Sequence, residues 1–183
     1  MVSKWETLSS RFLEDLKIFK VSRFRRRHPQ WKKEGDFIVL DSPKWVNIIP
    51  VTLDNKVVMI EQYRHGIDEI TLEVPGGLVE NGEDPRIAAE RECREETGFA
   101  GSESAILIGE NYPNPAFLNN NCYSFVWFEC RKIDEQRLDG NEDIRVVEIP
   151  LSDIKKLILN KTINHSLVLN AFFFYFLKYD KTV

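Results

Sequence analysis

Seven carboxylates fall between Glu80 and Glu96: Glu80, Glu83, Asp84, Glu90, Glu92, Glu95 and Glu96. On one short segment they would repel one another unless solvent or cations screened them. Glu92 and Glu96 are four residues apart, so on a helix they lie ~40° apart in azimuth, with Glu95 on the same side. Oxygen-only ligands on a rigid element suit hard cations, and Mg²⁺ in particular retains waters and bridges to phosphate oxygens. Gly76-Gly77, ahead of this segment, would let the backbone approach a metal or phosphate closely, because neither residue carries a side chain. Their carbonyls could also act as ligands. Phosphate chemistry is the natural expectation. Spacing alone also allows a solvated acidic helix balanced by Arg86, Arg91 and Arg94.

The elements that must hold these groups can be read around them. Arg86 to Thr97 is rich in helix formers, follows Glu83, Asp84 and Pro85 at a position suited to a helix start, and meets Gly98 as a stop. Ile87, Ala89 and Cys93 would pack this helix against a sheet and hold its acidic face outward. Phe37–Leu40, Trp45–Leu53 and Lys56–Gln62 read as strands, with Asp54-Asn55 as a hairpin turn. A turn at His65-Gly66 and a short strand over Ile70–Leu72 lead into Glu73-Val74-Pro75-Gly76-Gly77, where proline and paired glycines predict a loop. Ala105–Gly109, Cys122–Cys130 and Arg145–Ile149 read as further strands, and Leu151–Leu159 and Ser166–Tyr179 as helices. This order predicts an α/β fold: an α/β/α sandwich with a mixed central sheet, residues 45–183, preceded by a short N-terminal β arm, residues 1–44.

A chain of 183 residues with 43% hydrophobic and 30% charged residues can bury one core, and its composition excludes both disorder and a membrane class. A net charge of −4 argues against nucleic-acid binding. Arg23, Arg25, Arg26, Arg27, His28, Lys32 and Lys33 form the one basic cluster, either a solvated strand or a guide for an anionic substrate. The three cysteines, Cys93, Cys122 and Cys130, are odd in number and lack zinc-like spacing, which points to reduced thiols in a cytoplasmic protein. Met1 to Ser10 has no apolar h-region, and Leu167 to Leu177 is far short of the ~20 residues that a membrane span needs.

Gly77, Glu83, Arg91, Glu92, Glu95, Glu96 and Gly98, with every gap between them, reproduce the Nudix box in full. Cys93 and Phe99 stand where aliphatic residues are usual, and both keep the positions apolar. The sequence is thus identified as resembling the Nudix hydrolases. The resemblance implies that Glu92 and Glu96 are principal metal ligands, with Glu95 a further ligand or water-orienting group and the Gly76 carbonyl a backbone ligand. Arg91 would brace the acidic helix through an ion pair, and Glu83 would contribute more weakly. It further implies hydrolysis of a diphosphate with Mg²⁺, or Mn²⁺ in its place, by in-line attack of water on phosphorus.

Beyond the box, the resemblance is closest to the ADP-ribose pyrophosphatase and nucleoside diphosphate sugar group. In Ile60-Glu61-Gln62-Tyr63-Arg64 it implies that Arg64 contacts the diphosphate. It places Pro115 at the spacing associated with ADP-ribose hydrolases, whereas Ala116 to Asn121 departs from the group's usual loop, so Asn119 and its neighbours could bind a different sugar. With Gly77, these are the candidate substrate-binding residues. Within Asp139 to Ile144, Glu142 is the candidate base or water-orienting acid, with Asp139 second. The group often pairs through N-terminal strands, which implies a homodimer in which Trp5, Phe19, Phe24 or Trp31 could stack a base. Competing readings are a hydrolase of dinucleoside polyphosphates or nucleoside triphosphates, and a nucleotide-sensing module without hydrolysis.

Overall fold

The computed structural model describes residues 1–180; positions 181–183, at the end of the predicted 45–183 domain, lie outside the described residues. The chain divides into two units, Met1–Pro43 with Tyr112–Asn121, and Lys44–Asn111 with Cys122–Val183.

The first unit is a three-stranded antiparallel sheet of β1 (Glu6–Asp15), β2 (Lys20–Arg27) and β3 (Glu34–Asp41). Two residues of its basic cluster are paired across strands: Arg25 bonds Glu34 and Asp36, and Arg27 bonds Glu6. Trp5 meets His28 and Phe37 edge-on, and His28 stacks on Trp31 at 4.0 Å. The loop Tyr112–Asn121 joins this unit through a bridge between Leu40 and Leu118 and through Asn119, whose amide donates to Asp41 at 2.7 Å.

In the second unit the strands are β4 (Trp45–Thr52), β5 (Lys56–Arg64), β6 (Glu69–Glu73), β7 (Gly76–Leu78), β8 (Phe99–Ala100), β9 (Ile106–Asn111), β10 (Cys122–Lys132) and β11 (Ile144–Pro150). They form a mixed sheet in the order β11-β5-β4-β10-β8, parallel only between β4 and β10, with β6 on β5, β7 on β4 and β9 on β10. Period-2 alternation sends Val46, Ile48, Val58 and Phe125 to one face, where α1 (Pro85–Thr97) packs. Ile49, Val51, Val57, Met59 and Val126 face the other way, onto α2 (Ile154–Leu159) and α3 (Ser166–Tyr179). Helix α3 presents Val168, Ala171, Phe172 and Tyr175 to that core, the spacing of one helical face. The α/β/α sandwich expected from the element order is therefore present. Among the described residues no helix is long and apolar enough to cross a membrane. The three cysteines are free and buried, and burial pushes the Cys122 and Cys130 thiols up to about 12.

Three expectations are corrected. Gly76–Leu78 is not loop but a strand, antiparallel to β4 with Gly76 opposite Asn47. The glycines enable this pairing: a Cβ on Gly76 would lie 2.2 Å from the Val46 carbonyl oxygen, so only a bare backbone can approach so closely. Ile87 is exposed, and Ala88, Ala89 and Cys93 make the helix contact instead. Nor does α1 turn its whole acidic set outward, since Glu90 and Glu96 are buried. Glu96 follows Ala89 by seven residues, about two turns, which returns it to nearly the same azimuth as that core residue.

Both ends of α1 follow from local chemistry. The Asp84 carboxylate caps the start by accepting from the Arg86 and Ile87 N–H groups, and Pro85 needs no hydrogen-bond partner there. At the other end Gly98 is left-handed, with φ 75°, and its N–H donates to the Arg94 carbonyl. A Cβ on Gly98 would lie 2.1 Å from the Asp134 carbonyl oxygen. Gly98→Ala is expected to lose more than the roughly 1 kcal/mol of a left-handed alanine, because the Asp134 backbone must also move. Urea denaturation of the two proteins measures this, and a midpoint within error of the wild type would refute it.

Candidate active site

The site forms where β7 crosses the inner side of α1. Gly77 has Glu92 directly above it, since a Cβ at Gly77 would lie 2.4 Å from the Glu92 carboxylate. The Gly76 N–H donates to Glu96 Oε2 at 2.9 Å. Glu96 is 4% exposed, and among the described residues no Lys or Arg forms an ion pair with it. Burial pushes its carboxyl well above the usual range, and the charges of Glu92 and Glu142 add to this against the Gly76 N–H and Arg64. Glu92 is raised for the same first reason, partly countered by Arg91 and reinforced by Glu95 and Glu142. The inner side of the helix thus holds negative charge that the protein only partly balances.

Arg91 holds the outer side together. Its guanidinium bonds Glu83 with Nε at 3.0 Å and Nη2 at 3.1 Å, bonds Glu92 and Glu95 through Nη1, and donates to the Leu78 carbonyl. Its pKa rises, chiefly through the bond to Glu83, while that bond lowers Glu83. One arginine therefore ties α1 to the turn before it and to β7. Glu90 acts differently. It is buried, takes Arg86, Arg94 and the Ala105 N–H, and so anchors the helix.

Arg64 ends β5 and is bound by Glu73 at the end of β6, with Nε to Oε1 at 2.7 Å and Nη2 to Oε2 at 2.6 Å. Its charge is felt at Glu96, and the charges of Glu96 and Glu142 are felt at Arg64. Glu142 lies in the turn before β11, where its carboxylate accepts from the Asp139 N–H at 2.9 Å. The structure therefore brings Gly76, Gly77, Arg64, Glu92, Glu96 and Glu142 into one electrostatic neighbourhood. Glu95 stands at its more exposed edge on Arg91. Pro115 and Asn119 belong to the first unit, where the Asn119 side chain is engaged by Asp41 and the Ser42 N–H.

The match to known proteins decides the family. The NUDIX domain model covers residues 41–171. The chain belongs to the Nudix family. It is a Nudix pyrophosphohydrolase. It is 31% identical over 126 residues to "ADP-ribose pyrophosphatase" of Bacillus subtilis (strain 168), spanning 68% of each chain. It is 33% identical over 129 residues to "Methanol dehydrogenase activator" of Bacillus methanolicus, spanning 70% of this chain and 69% of that one. A solved structure described as an ADP compounds hydrolase superimposes with a TM-score of 0.85 at 21% identity, covering 100% of this chain and 99% of the other, and shows the shared fold.

Nudix hydrolases generally use divalent metal ions, and the donors of this Nudix box fit one. They are all oxygens, and they include a buried carboxylate with a backbone N–H but no ion-pair partner. Among the described residues no three Asp, Glu, His or Cys side chains close on one point. A cation here would accordingly draw on water or substrate oxygens as well as Glu92 and Glu96. Glu73, His165 and Asn47 were not singled out from the sequence. Asn47 sits against Gly76 and donates to the Leu167 carbonyl at 3.1 Å, linking β7 to the start of α3. His165 is lowered by burial, partly offset by Glu73, and its buried Nδ1 has no partner among the described residues. The one readable sign of Glu73 is its charge, opposite in sign to that of Arg64, nine positions on across the predicted turn at His65-Gly66.

Because the folded state holds Glu96 above its ordinary value, its ionised form costs stability as pH rises through that raised value, and below the ordinary carboxylate range the cost vanishes. Glu96→Gln keeps an acceptor for the Gly76 N–H and removes the charge. In metal-free buffer at neutral pH the variant should melt above the wild type, at roughly 2–4 °C per kcal/mol of charge burial relieved. The gap should close as pH falls toward the unfolded-state value. A variant that melts lower at neutral pH would show that Glu96 is adequately compensated.

Proposed function

We propose that this Nudix hydrolase uses Mg²⁺ to cleave the pyrophosphate bond of ADP-ribose or a related nucleoside diphosphate sugar, giving a nucleoside monophosphate and a sugar phosphate. The observation that carries the proposal is the buried Glu96 carboxylate, held by the Gly76 N–H without an ion-pair partner, beside Glu92 and within reach of the charges of Arg64 and Glu142. Such an arrangement suits a cation on the acidic side and an anionic diphosphate reaching from it to the arginine. The substrate class is supported by the name of the Bacillus subtilis relative, which is an ADP-ribose pyrophosphatase.

In this reading Glu92 and Glu96 hold the cation with a backbone oxygen of Gly76, and Glu95 contributes or orients water. When bound, Mg²⁺ would offset the diphosphate charge and polarise its phosphoryl oxygens. Arg91 keeps Glu92 and Glu95 in place, and Gly77 leaves room for the ligand beneath Glu92. Arg64 takes a diphosphate oxygen. Glu142 accepts the proton of the water whose oxygen bonds to one phosphorus, while the bridging oxygen leaves with the other phosphate.

The protein is also proposed to act as a homodimer through the first unit. All ten residues of β1 are exposed, including Leu8, Phe12 and Leu13, which leaves apolar side chains on an edge strand. Phe12→Asp is expected to shift the chain from dimer to monomer in light scattering after gel filtration; a wild type that elutes as a monomer would reject this assembly.

Activity is tested by phosphate release, after a phosphatase couple, from ADP-ribose, ADP-glucose, UDP-glucose, GDP-mannose, diadenosine polyphosphates and nucleoside triphosphates. Mg²⁺-dependent turnover is expected on a diphosphate sugar, reduced by ~10³-fold or more in Glu96→Gln. A preference for triphosphates or dinucleoside polyphosphates would overturn the substrate class.

A further inference from the structure

Glu73 is 3% exposed, whereas the Arg64 side chain bound to it is 41% exposed. The pair is therefore asymmetric, with its acid inside the protein and its base at the surface of the site. Glu73 is fixed from two sides, since the Thr71 hydroxyl also donates to Oε1. The register of β5 and β6, with Ile60 opposite Glu73 and Arg64 opposite Glu69, makes the arginine reach back along the sheet to meet the carboxylate.

The two bonds occupy Nε and Nη2, one edge of the planar guanidinium. A guanidinium has five N–H groups, so Nη1 and the second Nη2 hydrogen remain for another acceptor, in the paired geometry that suits phosphate oxygens. The guanidinium as a whole also feels the charges of Glu96 and Glu142. Without Glu73, a mobile Arg64 would be drawn onto one of these carboxylates. It would then neutralise the charge that a cation needs and withdraw its own donors from a ligand.

We propose that Glu73 is a positioning residue that clamps one edge of Arg64, presents the other edge as a preformed fork for the diphosphate, and keeps the arginine off Glu96 and Glu142. The inference rests on the reading that Arg64 contacts the diphosphate. It gives a role to a residue outside the Nudix box, and one that is almost wholly buried.

The test is a double-mutant cycle on the full chain with Arg64→Lys, Glu73→Gln and the double variant. The readouts are KM and kcat for ADP-ribose with Mg²⁺, and Kd for ADP by calorimetry. Glu73→Gln should raise KM and the ADP Kd about tenfold or more while kcat changes by less than about threefold, because orientation is lost rather than chemistry. Arg64→Lys, which lacks the fork, should weaken binding at least as much, and adding Glu73→Gln to it should change binding by less than about twofold. Equal effects of Glu73→Gln in both backgrounds, or unchanged binding by a folded Glu73→Gln protein, would overturn the proposal. Unchanged binding by Arg64→Lys would overturn the reading of Arg64 and the clamp with it. If the wild type fails to turn over ADP-ribose, the substrate reading falls, and the ADP Kd cycle still decides the clamp. If Glu73→Gln does not fold, Thr71→Val, which removes only the hydroxyl from Glu73, replaces it in the same cycle. A rise of a few-fold confined to the Arg64 background supports the clamp, and no rise rejects it.

Discussion

The contact between the Gly76 N–H and the Glu96 carboxylate is the point on which the site depends. It places a charge-bearing side chain of α1 under the edge of the central sheet, where water cannot balance it. For that contact to exist, β7 must lie against β4 with no side chain between them, and α1 must cross β7 at the Glu92–Glu96 level. The glycines satisfy the first condition. The buried stripe of Ala88, Ala89 and Cys93 satisfies the second, because small residues let the helix sit close to the sheet.

Around this contact the protein distributes positive charge unevenly. Arg91 serves Glu83, Glu92 and Glu95 at once, yet Glu92 stays raised because burial outweighs its share of that arginine. Arg64 could have compensated Glu96 and is instead held by Glu73. The site consequently keeps an acidic inner wall and a basic outer group apart, which is the separation that a cation and a diphosphate together can fill.

The helix α1, its caps and the β4–β5 hairpin were legible in the sequence because they rest on local rules: a carboxylate before Pro85, a glycine after Thr97, two residues between alternating apolar runs. The box residues were legible through spacing. What the sequence did not disclose depends on partners distant along the chain. Strand β7 is not legible as a strand because Pro75, Gly76 and Gly77 have poor strand propensity, and only pairing with β4 makes Gly76–Leu78 a strand. The burial of Glu96 is not legible because helical spacing shows which residues share a side, not which side a neighbouring strand covers. Glu73 went unnoticed because its value lies in a bond to Arg64, nine positions away across a turn.

The acidic segment also shows why counting carboxylates says little about function. Glu83 is a residue of the box and Glu90 lies within its span, yet each is matched by arginine and serves to hold the helix: Glu83 through Arg91, Glu90 through Arg86 and Arg94. Glu73 is more deeply buried than either and is held below its ordinary value, because Arg64 and Thr71 outweigh the cost of burial. Glu96 is buried to the same degree without such a partner and moves the opposite way. A fold that tolerates one unmatched buried carboxylate beside these three matched acids has spent none of its nearby arginines on it, although the charge of Arg64 is felt there. The charge left over is then a property of the arrangement, and it is this property, rather than the number of acids, that marks where a cation belongs.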